Sequence, residues 1–327
     1  MYTGPPPLTV SRALTSWTLD VPVLVVVLAA ALLYLAGMRR VRRSSQPWPR
    51  ARAVAFLIGG GGAVVVATMS FLGVYQHVLF YDRAVQTVLL LLAAPLFLAL
   101  GRPLSLFTGA LPGSGRRADA MVHSRAARIL TFPAITAMVL VIVPFLLYFT
   151  AWYEAGLRNA TIRELTYAAL LAPGLVFFWT LLRVDPVPKA YPYLVALWIT
   201  GAEVVGDAVL GLAVLADQHL IAGSYYQALG RPWGPSLRAD QVIGGGALWI
   251  LGDLVGLPFL AASLIVMIRE DEQDAAQVDA ELDARTAEAA APAAGETGMA
   301  PAATSDSQPW WESDARFTGR FQRPGSE

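Results

Sequence analysis

Cysteine is missing from all 327 residues, which excludes a disulfide framework, a Cys-x-x-Cys redox pair and any thiolate relay for a metal. Lysine occurs only as Lys189, in a connection between apolar runs. A retinal-type receptor needs a lysine deep in a membrane helix for its Schiff base, so that class is excluded. Histidine is nearly as scarce, with only His77, His123 and His219, and paired helix histidines for bis-histidine haem ligation are lacking. Charged residues make up 15% of the chain and cancel to a formal net charge of zero, which says little about partners; no nucleic acid is expected among them. No Ser-His-Asp arrangement, phosphate loop or zinc helix motif occurs, and nothing points to an enzyme.

Apolar sequence is what remains, at 56% of the residues. It is gathered in runs at about Val21–Met38, Arg52–Phe71, Val85–Leu100, Thr131–Phe149, Leu165–Leu182, Tyr193–Leu215 and Val242–Ile268. Each approaches the ~20 apolar residues needed to cross ~30 Å of hydrocarbon. The expected fold is therefore an all-α integral membrane protein, a bundle of about seven transmembrane helices in contact with the lipid bilayer. Glycines cluster at Gly59–Gly62 and Gly244–Gly246, where small residues let helix backbones approach. Pro95, Pro144, Pro173 and Pro258 are expected to kink their spans.

Arginines crowd the connections after the first, third and fifth runs, led by Arg39, Arg40, Arg42 and Arg43. The positive-inside bias places the amino terminus outside and the carboxyl terminus in the cytoplasm of a bacterial plasma membrane. A cleaved signal peptide would carry its charges before the apolar core, so the first run reads as an uncleaved span. Three segments follow: an outer lead over 1–20, a membrane domain over 21–268, and an acidic tail over 269–327. The tail has too few apolar groups to offset its ordering entropy and is expected to be largely disordered, with a solvated helix at its start. Trp310, Trp311, Phe317 and Phe321 near its end form a candidate docking motif, for the membrane interface or for a partner protein.

Charges inside membrane spans are costly and normally face a partner within the bundle. Glu203 and Asp207 stand four residues apart on one helical face of the sixth run, and Asp253 lies near the middle of the seventh. Their expected partners are Arg83 and Arg163, from the outer ends of the third and fifth. Gln86, Asp240 and Gln241 complete the candidate intramembrane polar cluster. His77 and His219 both fall on the expected outer side, where Asp82, Asp217 or Asp240 would complete a mixed nitrogen and oxygen metal site. Two solitary surface histidines are the plainer alternative.

The third run carries a family pattern: Arg83-Ala84-Val85-Gln86-Thr87, then Ala94-Pro95, then Leu100-Gly101-Arg102-Pro103. It resembles the third membrane segment of CtaG-type cytochrome c oxidase assembly proteins, which read His-Met-Val-Gln-His, Ala-Pro and Leu-Gly-x-Pro there. The fifth run repeats the likeness with Arg163-Glu164-Leu165-Thr166-Tyr167, Gly174 and Phe178-Trp179, and the seventh with Asp240-Gln241, Gly244–Gly246, Trp249 and Gly252. The likeness covers about Val54 to Ile268. Arg83, Thr87, Arg163 and Tyr167 stand where the family has paired histidines.

The resemblance implies a membrane assembly factor or chaperone for cytochrome c oxidase, with oxidase subunits as partners and copper as the metal concerned. The lost histidines put direct copper ligation by the family's own residues in doubt, leaving His77 and His219 as the metal candidates. The alternative is a proton-coupled small-solute transporter using Glu203, Asp207 and Asp253 as carriers, although no inverted repeat is apparent.

Overall fold

The computed structural model describes residues 2–42, 48–110, 124–183, 185–186 and 193–290, and among them there are helices and turns but no strand. Among the described residues, six helices are long and apolar enough to cross a membrane: Val21–Arg42, Arg50–Tyr75, Phe80–Ala110, Ala160–Leu182, Leu194–Ala216 and Leu237–Arg269. A bent pair, Pro133–Phe149 and Trp152–Arg158, turns through 68° and makes a seventh crossing if it is one span. Counted in chain order, the bent pair is the fourth span. The protein is thus an all-helical, multi-pass membrane protein.

Local chemistry sets where these helices start and stop. The Asp20 carboxylate accepts from the Val23 amide at 3.2 Å and caps the first span, whose far end carries Arg39, Arg40 and Arg42 beside the terminal carbonyls. Thr150 makes the break in the fourth span. Its Oγ1 donates to the Leu146 carbonyl at 2.7 Å and accepts from the Trp152 amide at 3.2 Å, closing one helix and opening the next. Asn159 and Ser236 cap the fifth and seventh spans in the same way, accepting from Ile162 and Ala239 at 3.2 Å each.

The third span is the axis of the bundle, with 61% of its most apolar stretch buried against 17% for the first. Pro95 interrupts it after a π-helical stretch, Leu89–Ala93, and by lacking an N–H it leaves the Leu91 carbonyl without its usual helical donor. The fifth span packs onto that spot through Gly174, where a Cβ would stand 1.9 Å from Leu91 O and 2.7 Å from Pro95 Cγ. A side chain at 174 would force the two helices apart. The sixth and seventh spans also meet backbone to backbone: a Cβ on Gly211 would lie 2.6 Å from Gly245 O.

Contacts divide the chain into two units, Met1–Glu270 and Asp271–Glu327. The last helix among the described residues is Leu237–Ala290, so the described part of the second unit, residues 271–290, is helical. Trp310, Trp311, Phe317 and Phe321 lie outside the described residues.

Candidate functional site

Gln76 follows the last turn of the second span and is 3% exposed. Its Oε1 accepts from the Tyr167 hydroxyl at 2.7 Å and from Arg83 Nη1 at 3.3 Å, while its Nε2 donates to the Gly73 carbonyl at 2.9 Å. Arg83 is 2% exposed, and its guanidinium carbon lies 5.2 Å from the Tyr153 ring centroid. Gly156 makes room for that group, since a Cβ there would stand 2.9 Å from Arg83 Nη2. Arg83 Nε has no hydrogen-bond partner. Thr87 Oγ1 donates to the Arg83 carbonyl at 2.9 Å and lies 3.0 Å from the Tyr148 hydroxyl. With the Thr87 proton committed to that carbonyl, Tyr148 is the donor in the second contact. Tyr153 and Tyr226 pair their hydroxyls at 2.9 Å on the far side of Arg83.

Arg163 and His77 stand at the mouth of this cluster. Arg163 Nη1 lies 3.3 Å from His77 Nε2, and its Nη2 is 3.7 Å from Glu164. Burial holds the His77 pKa down at about 4, helped by the positive charges of Arg163 and Arg83 and opposed by a hydrogen bond to the Leu157 backbone. His77 is therefore neutral near pH 7, and its Nε2 accepts from Arg163 rather than opposing it.

Asp240 and Gln241 hold the neighbouring loops at the start of the seventh span. Asp240 Oδ1 accepts from the Tyr81 amide at 2.9 Å and Oδ2 from Arg231 Nη2 at 3.1 Å, with the two side chains 1% and 2% exposed. Gln241 donates to the Val214, Asp217 and His219 carbonyls and accepts from the Ile221 amide at 2.9 Å. Asp82 is a different case. Its side chain is wholly buried, and neither carboxylate oxygen has a hydrogen-bond partner.

The expected meeting of arginines and intramembrane carboxylates does not occur, and this reading is corrected. Arg83 and Arg163 turn to Gln76, His77 and Glu164, and among the described residues no ion pair joins either to Glu203 or Asp207. The reason is depth. Arg83 and Arg163 lie in the first turn of their helices, whereas Asp207 is nine residues (216 − 207) from the end of the sixth span, about 14 Å at 1.5 Å per residue. Glu203 and Asp207 instead lie buried together, one turn apart on the sixth span. The seventh span accommodates them with glycines: a Cβ on Gly252 would be 2.6 Å from Asp207 Oδ2, and one on Gly256 3.2 Å from Glu203 Oε2. Asp253, beside them, has a buried Oδ1 without a partner. Gln86 stands apart, donating to the Ala67 carbonyl at 2.7 Å.

The residues that stand where the resemblance places histidines gather at one place. Arg83 and Tyr167 share the same Gln76 oxygen, Arg163 touches the adjacent His77, and Thr87 hydrogen-bonds the Arg83 backbone. This set does not suit copper, because arginine stays protonated and offers no lone pair, and the Tyr167 hydroxyl is engaged with Gln76. His219 has a 97% exposed side chain 3.4 Å from Asp217, while His77 faces Arg163. Among the described residues no group of three or more His, Asp or Glu converges as a metal ligand set. Gln76, Tyr148, Tyr153 and Tyr226 carry much of the hydrogen bonding and were not singled out by the sequence. For Gln76 the available signal was a polar residue between Tyr75 and His77 at the end of an apolar run.

A family model described as cytochrome c oxidase caa3 assembly factor matches residues 32–270. Two uncharacterized mycobacterial proteins, from Mycobacterium bovis and Mycobacterium tuberculosis, are each 30% identical over 291 residues, covering 86% of this chain and 44% of their own length. An uncharacterized protein of Mycobacterium leprae is 28% identical over 295 residues, 88% of this chain and 45% of its own. The chain thus spans less than half the length of the curated relatives it matches. No solved structure matches it.

Proposed function

The chain belongs to the cytochrome c oxidase caa3 assembly factor family, and from that premise we propose that it is a non-enzymatic membrane chaperone for the oxidase that works without the family's own metal site. One observation supports this reading: Arg83, Tyr167 and Arg163, which stand where the resemblance places histidines, come together on Gln76 and His77. A guanidinium at the centre, held by an amide oxygen and a tyrosine ring, fixes the same helices that a metal would hold. Its permanent positive charge opposes cation binding there. The client would be an oxidase subunit on the copper maturation route, met in the plasma membrane with the amino terminus outside and the carboxyl terminus in the cytoplasm. The arginine-rich connections support that orientation.

The test pairs two measurements. Oxidase copper content and assembled oxidase are assayed in a strain lacking this protein, and metal is quantified in the purified protein. Loss of assembled oxidase together with metal-free protein is the expected result. Stoichiometric copper that is lost on changing His77 and His219 would overturn the metal-free reading, and unchanged oxidase in the deletion strain would overturn the chaperone reading. For the orientation, a fusion after Glu327 is expected to be active only with a cytoplasmic reporter.

A further inference from the structure

Two cavities meet beside the Gln76 cluster, the larger lined by Gln76, His77 and Arg163 and the smaller by Tyr167. The first, of about 310 Å3, lies between the first span and the second, third and fifth, and its walls are side chains such as Val23, Val27, Val64, Leu90 and Leu171. The second, of about 900 Å3, is polar and includes Asp20, His77, Arg163 and Glu164. Pro22, Thr68 and Glu164 line both, so the apolar cavity runs into the polar one.

We propose that the two cavities together bind one membrane lipid, with an acyl chain in the apolar part and a head group bearing both a phosphate and a primary ammonium, the phosphatidylethanolamine class, in the polar part. Size and charge both carry this. A space of 310 Å3 takes on the order of ten carbons if each needs about the ~30 Å3 of a water molecule, enough for the part of a chain nearest its head group. At the junction a cation and two carboxyl groups stand side by side. The Arg163 and Glu164 side chains are 20% and 25% exposed and so reachable, and Asp20 lines the same cavity as Glu164. Arg163 Nε is buried without a partner, and Nη1 and Nη2 are only loosely engaged, at 3.3 and 3.7 Å. A guanidinium with donors to spare fits a phosphate, and the carboxyl pair fits an ammonium that donates hydrogen bonds. A purely anionic head would satisfy Arg163 but bring no cation to the carboxyl pair. A quaternary ammonium head has no N–H to give.

The test uses the full-length protein in phosphatidylcholine nanodiscs doped with spin-labelled phosphatidylethanolamine, phosphatidylglycerol or phosphatidylcholine, and reads the motionally restricted lipid by electron paramagnetic resonance. The ethanolamine lipid should be retained over both others by about tenfold, the equivalent of one charge-assisted hydrogen bond at about 1.4 kcal/mol. Glu164→Gln and Arg163→Gln should remove the preference while leaving a restricted chain. Gly61→Leu should remove the restricted chain for every head group, since a Cβ at Gly61 meets nothing closer than 3.7 Å and the longer side chain enters the cavity. Ala168→Phe fills the same cavity from the fifth span, so the test survives if one variant fails to fold, as checked by circular dichroism. Equal retention of the three lipids, preference for phosphatidylglycerol, or retention unchanged in a folded cavity-filling variant would overturn the proposal.

Discussion

Gln76→Leu should destabilise this protein far more than an ordinary polar substitution. Gln76 is the acceptor for two buried donors, the Tyr167 hydroxyl at 2.7 Å and Arg83 Nη1 at 3.3 Å. Leaving the tyrosine hydroxyl without a partner costs about 1 to 3 kcal/mol. Arg83 suffers more, because Nε is already unpartnered and Gln76 supplies the hydrogen bond its guanidinium makes. Losing a hydrogen bond to a buried charged group costs about 1.5 to 3 kcal/mol. The expected loss is therefore about 4 kcal/mol. Arg83→Met removes the charge itself while Gln76 still serves Tyr167, so it should cost much less. In the Arg83→Met background, Gln76→Leu should cost only the tyrosine contribution, giving a coupling of about 1.5 to 3 kcal/mol across the cycle. The four proteins are compared by unfolding in detergent, followed by circular dichroism and tyrosine fluorescence. Losses that add to within about 0.5 kcal/mol would refute the idea that Gln76 exists to hold Arg83.

Three further outcomes are expected. His77 has a pKa of about 4 when folded and an ordinary value of 6.5, so the unfolded chain takes up the proton first and stability falls as pH drops from 6.5 towards 4. At about 1.4 kcal/mol per pH unit the full loss is about 3 kcal/mol, and His77→Gln should flatten the stability profile across that window, so that its gap from wild type changes with pH; a profile parallel to that of the wild type would remove His77 as the cause. Arg231→Met and Asp240→Leu should each cost about 3 to 5 kcal/mol and the pair together clearly less than their sum, because each alone strands a buried charge; simple additivity of the thermal midpoints would mean that the contact is idle. Asp82→Leu should raise stability by about 1 to 3 kcal/mol, since it replaces a wholly buried carboxyl whose oxygens have no partner, and a lower midpoint would show that Asp82 has a partner essential to the fold.

Much of the architecture is legible along the chain because crossing a bilayer is a local requirement. Runs such as Val85–Leu100 declare a span by length and lack of charge, and the observed Phe80–Ala110 contains it. The fourth run was read as one span, and the structure bends it by 68° after Phe149 and carries it on to Arg158. Thr150 makes that bend through two short-range hydrogen bonds, a signal too weak to separate from an ordinary helix end in the sequence. The likeness over the third, fifth and seventh runs is equally a property of the sequence, and the family match over residues 32–270 agrees with it.

Partner choice among the polar residues was the part the sequence misjudged. Opposite charge favoured Arg163 with Asp207, yet Arg163 meets His77 across 86 positions, and Tyr167 meets Gln76 across 91. The spacing of Glu203 and Asp207 placed them correctly on one helical face, but nothing in their own helix foretold that Gly252 and Gly256 would face them. The physical reason is that a sequence fixes the order of side chains along each helix, while depth and rotation of one helix against another come from packing. Gly174 against the Leu91 carbonyl and Gly211 against that of Gly245 set those rotations, and through them the polar groups that come within hydrogen-bond range.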